Sequence, residues 1–358
     1  FLMWSFNPYP PNPATYVVPG YDDDVIAYYG PTTYWKDQVN TTTLGGAALS
    51  SEYNYSTRPS VASYTVLDGA ETPTTTTAAG YVTTYHGDVH IYNENGLAWF
   101  ISVVNGLNGT QARPMRFNKV FIHKKDAAGT PYDMKMFRWT PVGTLQYGFR
   151  GDFIGVSEAV ADTVALTADY VTIKGFIVDE PDMDNVGVFS FLDGARVKGI
   201  NLQNVFVRGG QYASALAATS KNSHISKVAV DKLTNGEGGG AQTSIITTHY
   251  TSGTIFGQSV KDTIDNVSVD NIKFAVDALY IGGLAGQAKS SYATNSNINI
   301  AFGANVSAFG GAVGQATGSN PEGLFAFLRK SNGQGYIANN YIHIRNAGLA
   351  QNIGGVVI

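Results

Sequence analysis

The chain has 358 residues and a formal net charge of −4; it is 44% hydrophobic but only 14% charged, with 41 Gly, 21 Tyr and no Cys. The missing cysteines exclude disulfides, thiolate metal sites and cysteine nucleophiles together. The weak negative charge, with no block of Lys or Arg, gives no electrostatic reason to expect nucleic acid or an acidic membrane surface, and no apolar run approaches the ~20 residues of a membrane span.

Low charge with abundant Gly, Tyr, Thr and Asn suits an extracellular β-rich protein. The chain begins at Phe1, which is read as a mature or trimmed product whose export signal, if any, has been removed. Residues 1–80 form one compositional unit. Pro8, Pro10, Pro11 and Pro13 dictate extended, polyproline-like chain. Short Tyr- and Val-rich runs then read as strands of a small β-subdomain or a cover along the rest of the chain, and the Thr-rich stretch Glu71–Gly80 reads as a linker. Tyr9, Tyr16, Tyr21, Tyr28, Tyr29, Tyr34, Trp35, Tyr53 and Tyr55 crowd this unit. Such rings either pack it or stack on a ligand.

Residues 81–358 form the second unit. Leu97, Phe100, Ile101 and Val104 fall at i, i+3, i+4 and i+7, predicting a helix capped by Asn93 or Asn95 and ended by Asn105-Gly106. Placed before a β array, it is expected to cover the first strand edges. Downstream, one spacing of apolar residues returns: Val197, Ile200, Leu202 and Val205; Ile225, Val228, Val230 and Leu233; Ile264, Val267, Val269 and Ile272. Ile173, Phe176 and Val178 repeat it in part, and Ile298 with Ile300 and Ile342 with Ile344 keep its central pair. Steps of three, two and three fit neither a helix face nor simple alternation. Recurrence at irregular separations is the signature of a parallel β-solenoid with loops of variable length at its corners. The expected interior rows are Ile173–Val197–Ile225–Ile264 and Ile200–Val228–Val267. Between the copies lie glycine-led apolar runs at Gly187, Gly282, Gly310, Gly323 and Gly354, read as tight turns or close backbone approaches.

The order of a helix ending in Val-Asn, Trp139-Thr-Pro-Val-Gly-Thr144, Phe149-Arg-Gly-Asp-Phe153, an Ile-x-Gly-Phe strand, Gly-Val-Phe and Ile-Asn-Leu-Gln-Asn-Val resembles the entry region of bacterial cell-surface proteins with GLUG-type repeats. Gly282–Gly286 (GGLAG) and, more loosely, Gly310–Gly314 (GGAVG) resemble the signature of that family. The resemblance covers roughly residues 86–358 and implies a right-handed parallel β-helix displayed outside the cell, often described as an adhesin. It implies no catalytic residues.

Candidate chemistry is sparse. Asp179, Glu180, Asp182 and Asp184 follow a core strand, but without the Asp-x-Asp-x-Asp-Gly order of a calcium loop they read as a solvated corner. His86, His90, His123, His224, His249 and His343 are scattered; on a strand His86 and His90 would stand about 13 Å apart, too far to share a zinc ion. No Gly-x-Ser-x-Gly elbow supports a serine nucleophile. Asn235–Gln242 (NGEGGGAQ) lacks the Gly-Lys-Ser/Thr of a phosphate loop, and Arg150-Gly151-Asp152, a possible integrin-type triplet, is accounted for by the family pattern. The reading is therefore an all-β protein, a right-handed parallel β-helix with an N-terminal capping helix and a β-rich N-terminal extension. It is expected to be non-enzymatic, with no catalytic, cofactor-binding or metal residues and no cofactor, and to lie outside the cell or on a bacterial outer surface. Its expected role is adhesion or binding of a glycan or a host or matrix protein, with any lipid anchor outside the given sequence. The rival readings are a polysaccharide lyase or hydrolase on the same scaffold, which needs carboxylates with Lys or Arg on one exterior face, and a structural stalk.

Overall fold

The computed structural model describes residues 15–17, 26–28, 31–38, 81–83, 89–91, 93–107, 112, 115, 119–125, 128–160, 163–166, 170–231, 244–248, 250–274, 278–302, 306–310, 313–317, 336–338, 341–346 and 350–354. Among them strands dominate, and in the repeating part they pair parallel. From Asn185 onward each pass of the chain visits three sheets in the same order, adding one strand to sheet A, one to sheet B and one or two to sheet C. Sheet A holds Asn185–Val186, Tyr212–Ala213, Thr251–Gly253, Ala278–Gly282, Val306–Gly310 and Ala350–Gly354. Sheet B holds Phe189–Asp193, Ala217–Lys221, Phe256–Val260, Ala285–Lys289 and Val313–Thr317. Sheet C is longer and includes Arg196–Gln203, His224–Val230, Thr263–Phe274, Asn297–Phe302 and Tyr341–Asn346. Backbone N–H groups of one pass donate to carbonyls of the next even at the corners, as Phe189 does to Leu216 (2.7 Å) and Ile255 to Leu284 (2.9 Å).

The repeated spacing has a backbone cause. Gly199, Lys227, Asn266 and Asn295 occupy equivalent positions in successive strands of sheet C, and all are left-handed, with φ of 72°, 50°, 52° and 52°. One left-handed residue interrupts the pleat, so residues three apart turn to the same side where strict alternation would oppose them. The first step of three in each copy is therefore a kinked strand. A second left-handed row, Gly194, Asn222, Lys261 and Ser290 (φ 71°, 53°, 56° and 54°), marks the corner between sheets B and C. Gly and Asn tolerate this region best.

Of the expected interior rows, Ile200–Val228–Val267 pair in register and are 0–1% exposed. Val197–Ile225–Ile264 also pair, but their upstream partner is Phe153. Ile173 instead joins the row Tyr132–Ile173–Leu202–Val230–Val269–Ile298. The copy at Ile173 is thus the second half of a unit whose first half, Asp152–Ile154, is split off by the antiparallel pair Asp152–Val160 and Thr163–Leu166. In the same way Ile298 pairs with Val269 and Ile300 with Ile272, across an irregularity, so that central pair is displaced by one step.

Helix α1, Glu94–Asn105, forms where expected. Asn93 Oδ1 accepts the Gly96 N–H (3.2 Å), and Gly106 at φ 68° ends the helix, where any Cβ would meet Ala112 N at 2.4 Å. Leu97, Phe100, Ile101 and Val104 are all buried. The Phe100 ring lies 5.4 Å from Phe149, 5.6 Å from Phe153 and 6.3 Å from Phe189, against the first strands of the array. The 139–151 stretch lies beside those strands: Val142 and Phe149 form isolated parallel bridges to Phe189 and Leu192, and Trp139 Nε1 donates to Val188 O (2.8 Å). Arg150 pairs with Asp193 of sheet B and Asp152 with Arg196 of sheet C, so the Arg-Gly-Asp triplet is held by its own neighbours.

Of the N-terminal unit, Thr15–Val17 pairs antiparallel with Ile26–Tyr28, and residues 31–38 dock on residues 134–139. Trp35, one of the rings read as either packing or stacking on a ligand, packs: it is 1% exposed, its Nε1 donates to Met134 O, and it stands edge-to-face with Phe137, centroids 4.9 Å apart. A large ring next to an apolar neighbour loses more surface to water by packing than by waiting for a ligand. Tyr9, Tyr21, Tyr29, Tyr53 and Tyr55, the linker, the Gly323 run and residues 235–242 lie outside the described residues.

Candidate ligand-binding groove

The acidic corner divides in two. Asp182 and Asp184 are exposed, as expected. Asp179 is not solvated: it is 3% exposed, and its carboxylate lies between two guanidiniums, with Arg208 Nε at 2.5 Å and Arg138 Nη2 at 3.2 Å. Register explains the first contact, since Asp179 and Arg208 are cross-strand neighbours. Glu180 stands beside Tyr34; burial pushes its carboxyl up, while the Tyr34 hydroxyl and Arg138 pull it back. Both carboxylates therefore belong to the docking of residues 31–38. Among the described residues no three His, Asp or Glu side chains converge as metal ligands. His123 is buried, His224 is exposed, and His90 and His343 lie on separate strands; His86 and His249 fall outside the described residues.

Besides Glu94, which pairs with Lys125 Nζ (2.7 Å), two other carboxylates are buried. Asp262 accepts from Ser223 N (2.7 Å), Val260 N (3.0 Å), Ser259 Oγ (2.7 Å) and Ser220 Oγ (3.1 Å), and closes the corner between sheets B and C. Asp231 accepts from Asn204 N (2.8 Å) and Ser244 N (2.6 Å), tying the end of strand Arg196–Gln203 to the start of strand Ser244–Thr247. Burial pushes each carboxyl from 3.8 up to about 7, against the pull of those donors. The sequence carries a signal for Asp262: Ser223, Asp262 and Ser291 are equivalent, so an acid replaces a serine in one copy.

Because both folded pKa values lie above the unfolded one, the unfolded chain releases these protons first as pH rises. The contribution to stability is therefore full below pH ~4 and declines until pH ~7. The melting temperature of Asp262→Asn relative to wild type is expected to rise steadily across that window, since the amide cannot ionise. A difference independent of pH would contradict the assignment.

The exterior corner between sheets A and B has a different chemistry. A Cβ on Gly257 would stand 2.9 Å from Tyr212 Cβ, and one on Gly286 would stand 2.5 Å from Thr251 Cγ2. Side chains leaving the two sheets thus converge, and glycine is required where they meet. This accounts for Gly283-Leu-Ala-Gly286: Leu284 fills the core, 0% exposed, and Gly286 makes room for the Thr251 side chain and the Ser252 backbone. One wall carries Tyr212, Tyr250 and Tyr280, each ring edge-to-face on the next with centroids 6.0 and 6.5 Å apart. The other carries Thr219, Gln258 and Gln287, which are register partners through the intervening strands. Gln258 Nε2 reaches Tyr212 Oη and Gln287 Oε1, both at 3.5 Å, and Thr219 Oγ1 bonds Asn185 Oδ1 at 2.5 Å. Tyr250 is 38% exposed. The Tyr212 hydroxyl is pushed up by burial, then by Tyr250 and Asp184.

Sequence reasoning passed over this groove, although a signal was present. Gly-Gln recurs at Gly257-Gln258, Gly286-Gln287 and Gly314-Gln315, and a tyrosine precedes the small-residue turn in three passes. Beneath the rings, Thr251 Oγ1 is buried with no hydrogen-bond partner. Thr251→Val removes only that unsatisfied hydroxyl, so its melting temperature is expected to equal or exceed that of wild type; a drop of several degrees would reveal a hidden partner.

Family models, curated proteins and solved structures return no match to this chain. Among the described residues no helix is long and apolar enough to cross a membrane.

Proposed function

We propose that this chain is a secreted or cell-surface, non-enzymatic protein that mediates adhesion by binding carbohydrate or protein, built as a right-handed parallel β-helix of the GLUG-repeat kind. Three parallel sheets visited in a fixed order support the solenoid reading, and the packing of α1 on Phe149, Phe153 and Phe189 supports a capping role. The observation that carries the binding reading is the exterior groove, whose aromatic and amide walls repeat from pass to pass while the buried carboxylates are engaged in holding corners and docked chain. An acid–base centre would instead present paired carboxylates on an exterior face.

The test is a screen of the purified chain on a glycan array and a panel of extracellular matrix proteins, alongside incubation with polysaccharides. Binding without new reducing ends or unsaturated products is expected. Cleavage would replace this reading with the lyase or hydrolase one, and no binding on either panel would favour the structural stalk.

A further inference from the structure

We infer that the groove between sheets A and B binds an uncharged polysaccharide lying along the stacking direction, an inference that rests on the ligand-binding reading above. The groove is periodic: parallel neighbours repeat every ~4.8 Å, so Gln258 and Gln287 present the same amide one step apart. That step is comparable to the length of one pyranose unit. A polymer with its own regular repeat can use such a surface at every step, whereas a single small molecule uses one.

The chemistry of the walls selects the polymer. The tyrosine rings offer apolar faces and edges to sugar C–H groups, and the amides and hydroxyls offer both donors and acceptors to sugar hydroxyls. The contacts of Gln258 at 3.5 Å lie at the long limit of a hydrogen bond, so exchanging them for ligand hydroxyls costs little. Neither wall carries Lys or Arg at these positions; the exposed Lys221 and Lys289 lie two residues beyond Thr219 and Gln287, at the far end of the sheet B strands, while the charged neighbour of Tyr212 is the acid Asp184. An acidic polymer seated on the tyrosine wall would be repelled by that carboxylate. A peptide strand is disfavoured for another reason. The strands behind the groove pair with the passes on both sides, so they offer no free edge for main-chain addition.

The experiment is native affinity electrophoresis of the full chain through gels containing neutral polysaccharides (a β-glucan, a xylan, a galactomannan and an α-mannan) or acidic ones (polygalacturonate and hyaluronate). Retardation by at least one neutral polymer is expected, with no retardation by the acidic ones. Tyr250→Ala and the double variant Gln258→Ala, Gln287→Ala should each weaken retardation at least tenfold, while Tyr147→Ala, an exposed ring elsewhere, should not. If Tyr250→Ala lowers the melting temperature, the glutamine double variant decides. Retardation by neutral polymers that survives both groove changes in folded protein would overturn the groove assignment and leave the broader binding reading standing. Retardation by acidic polymers alone, or by none, would also overturn the inference. Failure of the broader reading is separate, since that requires the glycan and matrix panels to be blank as well.

Discussion

Val228→Asp is expected to yield a chain that does not reach the native state at 25 °C. Val228 is 0% exposed and stacked between Ile200 and Val267 in sheet C, so the new carboxylate would face apolar neighbours along the row with no cation in it. Losing the valine contacts costs on the order of 2 kcal/mol, and burying an unpaired acid, even after it takes up a proton, adds several more. Together these approach the ~5–15 kcal/mol that holds a typical domain. The damage also spreads, because the strand pairs parallel with a neighbour on each side in sheet C. Val228→Ala separates the two effects and should remain folded with a lowered melting temperature. Far-UV circular dichroism and a thermal melt read both. A cooperative melt for Val228→Asp within a few degrees of wild type would mean that this row is not interior.

The interior place of Val228 is legible in the sequence, since it belongs to one of the three copies that keep the full spacing. The spacing recurs because each copy must match the one beneath it, and matching is visible in one dimension. Its cause was not visible: a left-handed residue at Gly199, Lys227, Asn266 and Asn295 is a backbone state that lysine does not advertise. The error at Ile173 has the same origin. Its step of three to Phe176 imitates the first half of a copy, while the true first half lies across an inserted hairpin, and insertion breaks the link between distance in sequence and register.

The candidate site was less legible than the fold. Tyr212, Tyr250 and Tyr280 sit at unequal separations in sequence and become neighbours only when passes of different length are stacked. The crowded N-terminal rings drew attention instead, and the described one of largest size, Trp35, turned out to be core. Asp179 misled for a similar reason. Its four-acid context is that of a solvated loop, but its partners Arg138 and Arg208 lie 41 and 29 residues away, and only folding brings them together.

Asp179→Ala is accordingly expected to destabilise the protein by about 3–5 kcal/mol, the usual cost of removing one member of a buried ion pair. The carboxylate is 3% exposed and the arginine side chains are 24% and 23% exposed. Without it, two guanidiniums remain close together, partly desolvated and mutually repulsive. Asp179→Asn keeps the shape and an acceptor for Arg208 and should fall between alanine and wild type. Asp182→Ala and Asp184→Ala, in the exposed part of the same corner, should stay within about 0.5 kcal/mol. The effect should also reach the N-terminal unit. Arg138 Nε donates to Pro31 O at 2.7 Å, and the Arg138 backbone bonds Thr33 and Trp35, so an Arg138 released from Asp179 holds residues 31–38 less firmly. Urea denaturation measures the first effect, and the rate of limited proteolysis within the first 40 residues measures the second. If Asp179→Ala unfolds at the same urea concentration as Asp182→Ala, the arginine pair does not anchor this corner, and residues 31–38 are held by the burial of Trp35 and its bonds to Met134 and Arg138.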